Sequence, residues 1–322
     1  MDDLDLDILR WVYRGGVWSP WGTDPKITAA EIASHVGLDR TRVWARIRRW
    51  RREGFWDGFL VYPNLTIFGV ELLSAEIVVV DVAEGCALMD QLERMDGAVR
   101  AFLAYGDSAT RRDVEVLVVY FVGDDPTRIG RRMELLRRIS PTGRVDGPFR
   151  CEAPECTRAL TPLDWRIIAA IVANPNASLS QVATLVGVTL KTFVRHHTAL
   201  IDDHAVFYVP KVDWSRVGCV TVAVHCGGAA DVGRVRKALE ARFPHSIPIS
   251  FEGYDIEGVA PEFDRSRCFP IMVPSHSPND LQTLVLNISQ IPGVRLARTL
   301  LFGPSRRFLR WTSQQISEHL VT

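Results

Sequence analysis

The stretch TAAEIASHVGLDRTRVWARIRRWRRE, residues 28–53, decides the fold. A second segment of the same shape, SLSQVATLVGVTLKTFVRHHTALIDD, lies at residues 178–203. The two align without a gap through Leu200, with Ala33 opposite Ala183, Val36 opposite Val186 and Gly37 opposite Gly187. Ile32/Val182, Leu38/Val188 and Val43/Phe193 match in character. Each copy spells a short helix, a glycine turn and a longer helix. That is the form of a helix-turn-helix, whose second helix enters the DNA major groove.

Stepping about 100° per residue along the longer helix of the first copy puts Val43, Ile47 and Trp50 in one narrow stripe, which must be buried. Thr41, Ala45, Arg48, Arg49 and Arg52 fall on the opposite side, with Arg42 and Trp44 on its flanks. Seven arginines lie between residues 40 and 52, balanced only by Asp39 and Glu53. Arginine forks onto guanine edges or phosphates. Arg40, Thr41, Arg42, Trp44 and Ala45, near the helix start, are expected to reach bases. Arg48, Arg49 and Arg52 are expected on phosphates. The bland alternative is a solvated charged face, and a cationic run this one-sided is unusual for it.

In the second copy the buried stripe is Phe193, His197 and Leu200. Thr198, Ala199 and Asp202 stand where the first has Arg48, Arg49 and Arg52, and Lys191 and Arg195 are offset by Asp202 and Asp203. Such a helix gains little from counterion release, so an architectural role is expected for it.

The chain has 322 residues and a formal net charge of zero, from 38 basic and 38 acidic side chains. That length holds two or more domains with real cores. Any nucleic-acid contact must be a local patch, because the chain is not globally basic. No run of apolar residues is long enough for a membrane span, and the acidic start does not resemble a signal peptide. A cytoplasmic protein with no membrane partner is expected. The six cysteines, at 86, 151, 156, 219, 226 and 268, form no Cys-x-x-Cys pair and are expected as free thiols. His196 and His197 are neighbours in sequence, so they do not share a helix face, and a structural role is expected for His197. No nucleotide-binding loop, nucleophile elbow or zinc-protease pattern occurs. Hence neither a metal, nor a cofactor, nor an enzyme is expected.

The repeat extends beyond the motif. Asp5-x-x-Ile8-Leu9 opens a helix before the first copy, and Leu160-Thr161-x-x-Asp164-x-x-Ile167-Ile168 opens one before the second, with Thr161 as N-cap. After each long helix an extended segment ends in proline, at Pro63 and Pro210, as a wing would. Each half then alternates as β-α-β-β-α-β, the ferredoxin-like pattern. In the first half strands are expected at residues 72–82, 99–105, 113–122 and 144–150, with helices at 86–95 and 126–139. In the second half strands are expected at 220–225, 249–256, 268–273 and 294–302, with helices at 231–243 and 279–291. The expected fold class is therefore α+β, two tandem repeats of a winged helix-turn-helix followed by a ferredoxin-like domain. The expected segments are 1–66, 67–150, a linker 151–159, 160–216, 217–303 and a tail 304–322. Three features break the repeat: an insert at 15–22 carrying Trp18 and Trp21, a longer hairpin at 258–267, and the tail with Phe308 and Trp311. The insert is expected to be a structural or partner-facing loop.

This order of motifs resembles the Lrp/AsnC (feast/famine) family of transcription regulators, in a fused, duplicated form. The resemblance covers almost the whole chain twice. It is strongest at the opening from Leu160 and at Gly253-Tyr254-Asp255, which match the family start and its glycine-acid signature, and partial at Gly106-Asp107-Ser108. It implies a regulator that binds double-stranded DNA and assembles through its sensing (RAM) domains. It also implies a small effector, such as an amino acid, held near Gly106, Asp107, Gly253 and Asp255. One strongly basic helix per chain implies a homodimer or larger homo-oligomer, with the strands at 72–82 and 113–122 and the tail as candidate surface. A second resemblance is to siroheme decarboxylases, which share the architecture and act on an acidic tetrapyrrole; their proline- and arginine-rich signature is not evident here. A third reading is an assembly or co-regulator protein that binds no DNA.

Overall fold

The structure is a computed structural model that describes residues 2–12, 29–106, 114–151, 155–213, 219–227, 230–248, 268–274 and 278–321. In chain order the first half contains α1 (Asp3–Val12), α2 (Ala29–Val36), α3 (Arg40–Arg52), β1 (Trp56–Pro63), β2 (Glu71–Val79), α4 (Val82–Leu92), β3 (Ala98–Gly106), β4 (Val114–Gly123), α5 (Pro126–Ile139) and β5 (Val145–Cys151). The second contains α6 (Pro162–Ala173), α7 (Leu179–Val186), α8 (Leu190–Asp202), β6 (Val206–Val212), β7 (Cys219–Cys226), α9 (Val232–Arg242), β8 (Ile247–Pro248), β9 (Cys268–Pro274), α10 (Pro278–Ser289) and β10 (Val294–Arg307), followed by α11 (Arg310–Val321). Three helices, a strand and a βαββαβ run thus occur twice, a mixed α/β fold with antiparallel sheets.

The elements condense into two compact units that do not follow chain order. One is built from α1 to β1 together with β6 to the first half of β10. Its helical core is Ile8, Leu9, Ile32, Val43, Ile47, Trp50 and Phe55, the apolar stripes of α1–α3 meeting one another. β1 and β6 pair as a two-stranded ribbon, and Asp213 N–H donates to the Phe55 carbonyl at 2.9 Å. The βαββαβ part has strand order β10-β7-β9-β8. β7 lies antiparallel between β9 and residues 294–300 of β10. Val222, Val224, Val235, Leu239, Ile271 and Ile288 form its core, as the alternation of inward residues on strands and the helical stripes require.

The other unit runs from the 3-10 turn Leu65–Phe68 to α8, with the end of β10 and α11. Its sheet has the order β5-β2-β4-β3-β10, all neighbours antiparallel. α4 and α5 cover one face through Leu88, Leu92, Met133 and Leu136 against Ala75, Ile77, Leu103, Leu117 and Val119. Gly85 of α4 lies so close to Leu103 that a Cβ would stand 2.4 Å from its Cδ2. Both βαββαβ runs thus have their strands in the order fourth, first, third, second, the ferredoxin-like arrangement.

Of the candidate assembly surfaces, the two strands have both edges paired, β2 by β4 and β5 and β4 by β2 and β3, and the tail's aromatic residues Phe308 and Trp311 are buried within this unit. β10 also outruns the strand expected to end near residue 302. It passes Gly303 and Pro304 by a register shift between Phe302 and Ser305 and pairs on to Arg307 against β3, a bulge being where a strand tolerates proline. α11 then packs on α6. Trp165 stacks on His319 with ring centroids 4.1 Å apart, and Phe68 meets Trp311 edge-on at 5.5 Å.

Candidate nucleic-acid interface

α3 begins where Asp39 caps it, its carboxylate accepting from the Arg42 N–H at 2.9 Å. The turn before it is set by Gly37 at φ +67°, a left-handed backbone that suits glycine. It lets Leu38 N–H reach the Ala33 carbonyl at 3.0 Å. The second module repeats this with Gly187 at φ +75° and Val188 N–H on the Ala183 carbonyl, also 3.0 Å. Val43, Ile47 and Trp50 are buried, as expected, and Trp50 meets Phe55 edge-on. This anchoring fixes the rotation of α3, and so decides which side chains face outward.

Arg40, Thr41, Trp44, Arg48 and Arg51 are exposed and line one surface depression of about 490 Å³. At about 100° per residue they share an arc of roughly 100° on the helix. Arg42, Ala45 and Arg52 are also exposed, Arg42 beside Asp39 at 3.3 Å. Arg51 was not among the expected residues. Its phase lies between Arg40 and Trp44, so the helix geometry was enough to find it. Its guanidinium sits 5.8 Å from the centre of the Trp56 ring, a cation–π contact that positions it.

Arg49 departs from expectation. Its Nη2 is 2.5 Å from Asp5 Oδ2, and Arg46 Nη1 is 2.6 Å from Asp5 Oδ1 and 2.8 Å from Asp2 Oδ1. Asp5 is buried, so this pair of arginines is turned toward α1 and their charge is largely neutralised there. Burial pushes the Asp2 pKa up, but hydrogen bonds from Arg46 and the Asp5 backbone outweigh it and hold Asp2 below its usual value. The cationic face is therefore narrower than the arginine count implies.

The second module has a different outward face. Leu190, Lys191, Val194 and Arg195 are exposed on α8, and Asp202 is exposed at its end. His197 is buried and stacks on Phe193 at 5.4 Å between centroids, the structural role expected of it. His196 Nδ1 is 2.7 Å from Asp164 Oδ1. Asp164 is fully buried, caps α6 reciprocally with Thr161 and lies 3.3 Å from Arg158. Burial pushes its pKa up, but contacts from His196, Thr161 and Arg158 prevail and keep it below the ordinary carboxylate range.

Gly106 ends β3 opposite Val114. Asp107, Gly253, Asp255, the insert at 15–22 and the hairpin at 258–267 lie outside the described residues. Among the described residues no group of three or more His, Cys, Asp or Glu is placed to hold a metal ion, and no helix is long and apolar enough to cross a membrane.

A family model described as winged helix-turn-helix DNA-binding matches residues 1–55. No curated protein matches the chain. Among solved structures, siroheme decarboxylase NirDL aligns over 99% of this chain and 99% of its own at 12% identity and a TM-score of 0.50. The same enzyme with an iron-uroporphyrin III analogue aligns over 98% and 99% at 14% identity and 0.48. An AsnC family transcriptional regulator from Agrobacterium tumefaciens covers 50% of this chain and 97% of its own, at 18% identity and 0.33. The expectation that the chain is not an enzyme is thereby corrected: a fold aligned end to end with this one belongs to an enzyme. At this identity the likeness establishes the fold alone, and a missing catalytic motif excludes no chemistry.

Proposed function

We propose that the chain is a sequence-specific DNA-binding transcription regulator of Lrp/AsnC type that grips duplex DNA through α3. The observation that carries this is the depression lined by Arg40, Thr41, Trp44, Arg48 and Arg51 on the outer face of the second helix of a helix-turn-helix. Its residues suit a duplex: guanidinium forks for guanine or phosphate, a short hydroxyl, and an aromatic plane. The match of residues 1–55 to a winged helix-turn-helix DNA-binding model supports the same reading. Arg42, Ala45 and Arg52 extend the contact, while Arg49 serves mainly to fix α3 on α1. The chain is read as a fused duplication, with the second winged helix as spacer. A homodimer would supply the second basic helix that a palindromic site requires. A small effector near Gly106, Asp107, Gly253 and Asp255 is part of this reading and rests on the family resemblance. Selection of bound duplexes from a random pool at two salt concentrations tests it. A recovered motif, bound with a steep salt dependence, supports the reading; unselected recovery at both concentrations defeats it.

The second reading is tetrapyrrole chemistry, favoured by the end-to-end alignment with siroheme decarboxylase. It rests on shared fold, and no residue of this chain is assigned to it. A Soret band that shifts when the purified protein is mixed with an iron tetrapyrrole supports it, and an unshifted band counts against it.

A further inference from the structure

We propose that Trp44 reads the C5-methyl group of thymine and sets the preference for thymine at the base that it meets. This rests on the DNA-binding reading of the same face. Trp44 is 38% exposed, a large apolar side chain among the guanidinium groups of Arg40, Arg48 and Arg51 on the depression they share. Water solvates an exposed indole poorly, so such a group gains most from a partner that is itself apolar. Among base edges in the major groove the apolar group is the thymine methyl; the remaining features are hydrogen-bond donors and acceptors. Arginine is suited to those features and to phosphates, so the guanidinium groups do not compete with the indole for the methyl.

Placement supports the assignment. Trp44 stands one turn into α3, at the end of the helix that reaches bases in this motif. Its neighbour in sequence, Val43, and Ile47 about one turn on are buried, so the helix cannot roll to hide the indole. Thr41 and Ala45 beside it are small and exposed, leaving room for a base edge to approach the ring. The indole N–H adds a donor for an acceptor on the same edge.

The experiment starts from a duplex selected with the native chain, in which each thymine in turn is replaced by deoxyuridine, a change that removes only the methyl. Fluorescence anisotropy should show a loss of about three- to tenfold at one or two positions and none elsewhere. The variant W44A should bind the thymine and uracil duplexes equally, with an unchanged salt slope, and W44F should keep part of the discrimination. Thermal melts of both variants verify that the surface substitution leaves the fold intact. Discrimination that survives in W44A, or uniform binding of all uracil duplexes by the native chain, overturns the proposal while leaving DNA binding in place. Failure of the native chain to bind any duplex overturns the reading beneath it as well.

Discussion

Asp164 holds His196 through a 2.7 Å contact between Oδ1 and Nδ1, and the same strap recurs in the first module as Asp5 on Arg46 at 2.6 Å. In both modules a buried carboxylate near the start of the first helix reaches a cationic or protonatable group at the middle of the third. Asp5 and Asp164 open matching sequence patterns, and Arg46 and His196 occupy matching positions in the aligned motif. The strap ties the first helix to the third, beside the buried stripe that fixes the outward face of the third. Its recurrence supports the reading of the modules as copies whose outer surfaces have diverged.

Removing the strap should be costly where the carboxylate is buried. Asp164→Ala leaves Arg158 with Asp203 alone of its two carboxylate partners, His196 without its carboxylate and α6 without its reciprocal cap, which together predicts a loss of about 3 kcal/mol. The midpoint of urea unfolding followed by far-UV circular dichroism measures this, and a shift close to zero would show that the strap does not stabilise the module.

The same carboxylate gives the module a pH dependence of known sign. The Asp164 pKa is lower in the folded state than its unfolded value of about 3.9. Its contribution is complete above that value and is lost as pH falls through the lower folded one, because the unfolded chain binds more protons in between. Urea midpoints between pH 6 and pH 2.5 should therefore fall more steeply for the native chain than for Asp164→Asn. Parallel curves would contradict this.

Asp5 ties down Arg49, which could otherwise reach phosphates, and shares Arg46 with Asp2. Asp5→Asn should lower the stability of the first module by about 1–3 kcal/mol. It should also make DNA binding more salt-dependent, by up to about one unit of log–log slope as Arg49 is released. Melting and anisotropy titrations on one preparation separate the two effects. Lowered stability with an unchanged slope would mean that Arg49 stays turned inward without the carboxylate.

The terminal helix is a structural brace. Trp311→Ala removes the indole that Phe68 meets edge-on beside the Trp165–His319 stack, for an expected loss of about 3 kcal/mol. Near-UV circular dichroism should lose aromatic signal in the same variant. If stability holds and the chain instead changes mass in light scattering, Trp311 belongs to an interface between copies.

The helix-turn-helix pair and both βαββαβ runs were legible because each rests on local signals. Gly37 and Gly187 mark the turns, Thr161 and Asp39 the caps, and Val43, Ile47 and Trp50 the buried stripe. What was not legible depends on contacts distant in sequence. Arg49 looks free on a helical wheel, and only the approach of α1 delivers Asp5 to it. Phe308 and Trp311 look like spare apolar surface, but Phe308 joins the core between the sheet and α4–α5, and Trp311 is buried where α11 returns onto α6. Arg51 is the converse case: its phase, between Arg40 and Trp44, was readable, but its hold on Trp56 depends on where β1 returns past the helix.

The most direct test of the central claim compares two variants on one selected duplex by anisotropy across roughly 50 to 300 mM salt, a range of the order in which phosphate contacts dominate affinity. One carries alanine at Arg40, Arg48 and Arg51; the other carries alanine at Lys191 and Arg195 of the second module. The account predicts that the first loses most of its affinity and about two to three units of salt slope, while the second changes the slope by less than about one. Native affinity and native slope in the Arg40/Arg48/Arg51 variant would contradict it.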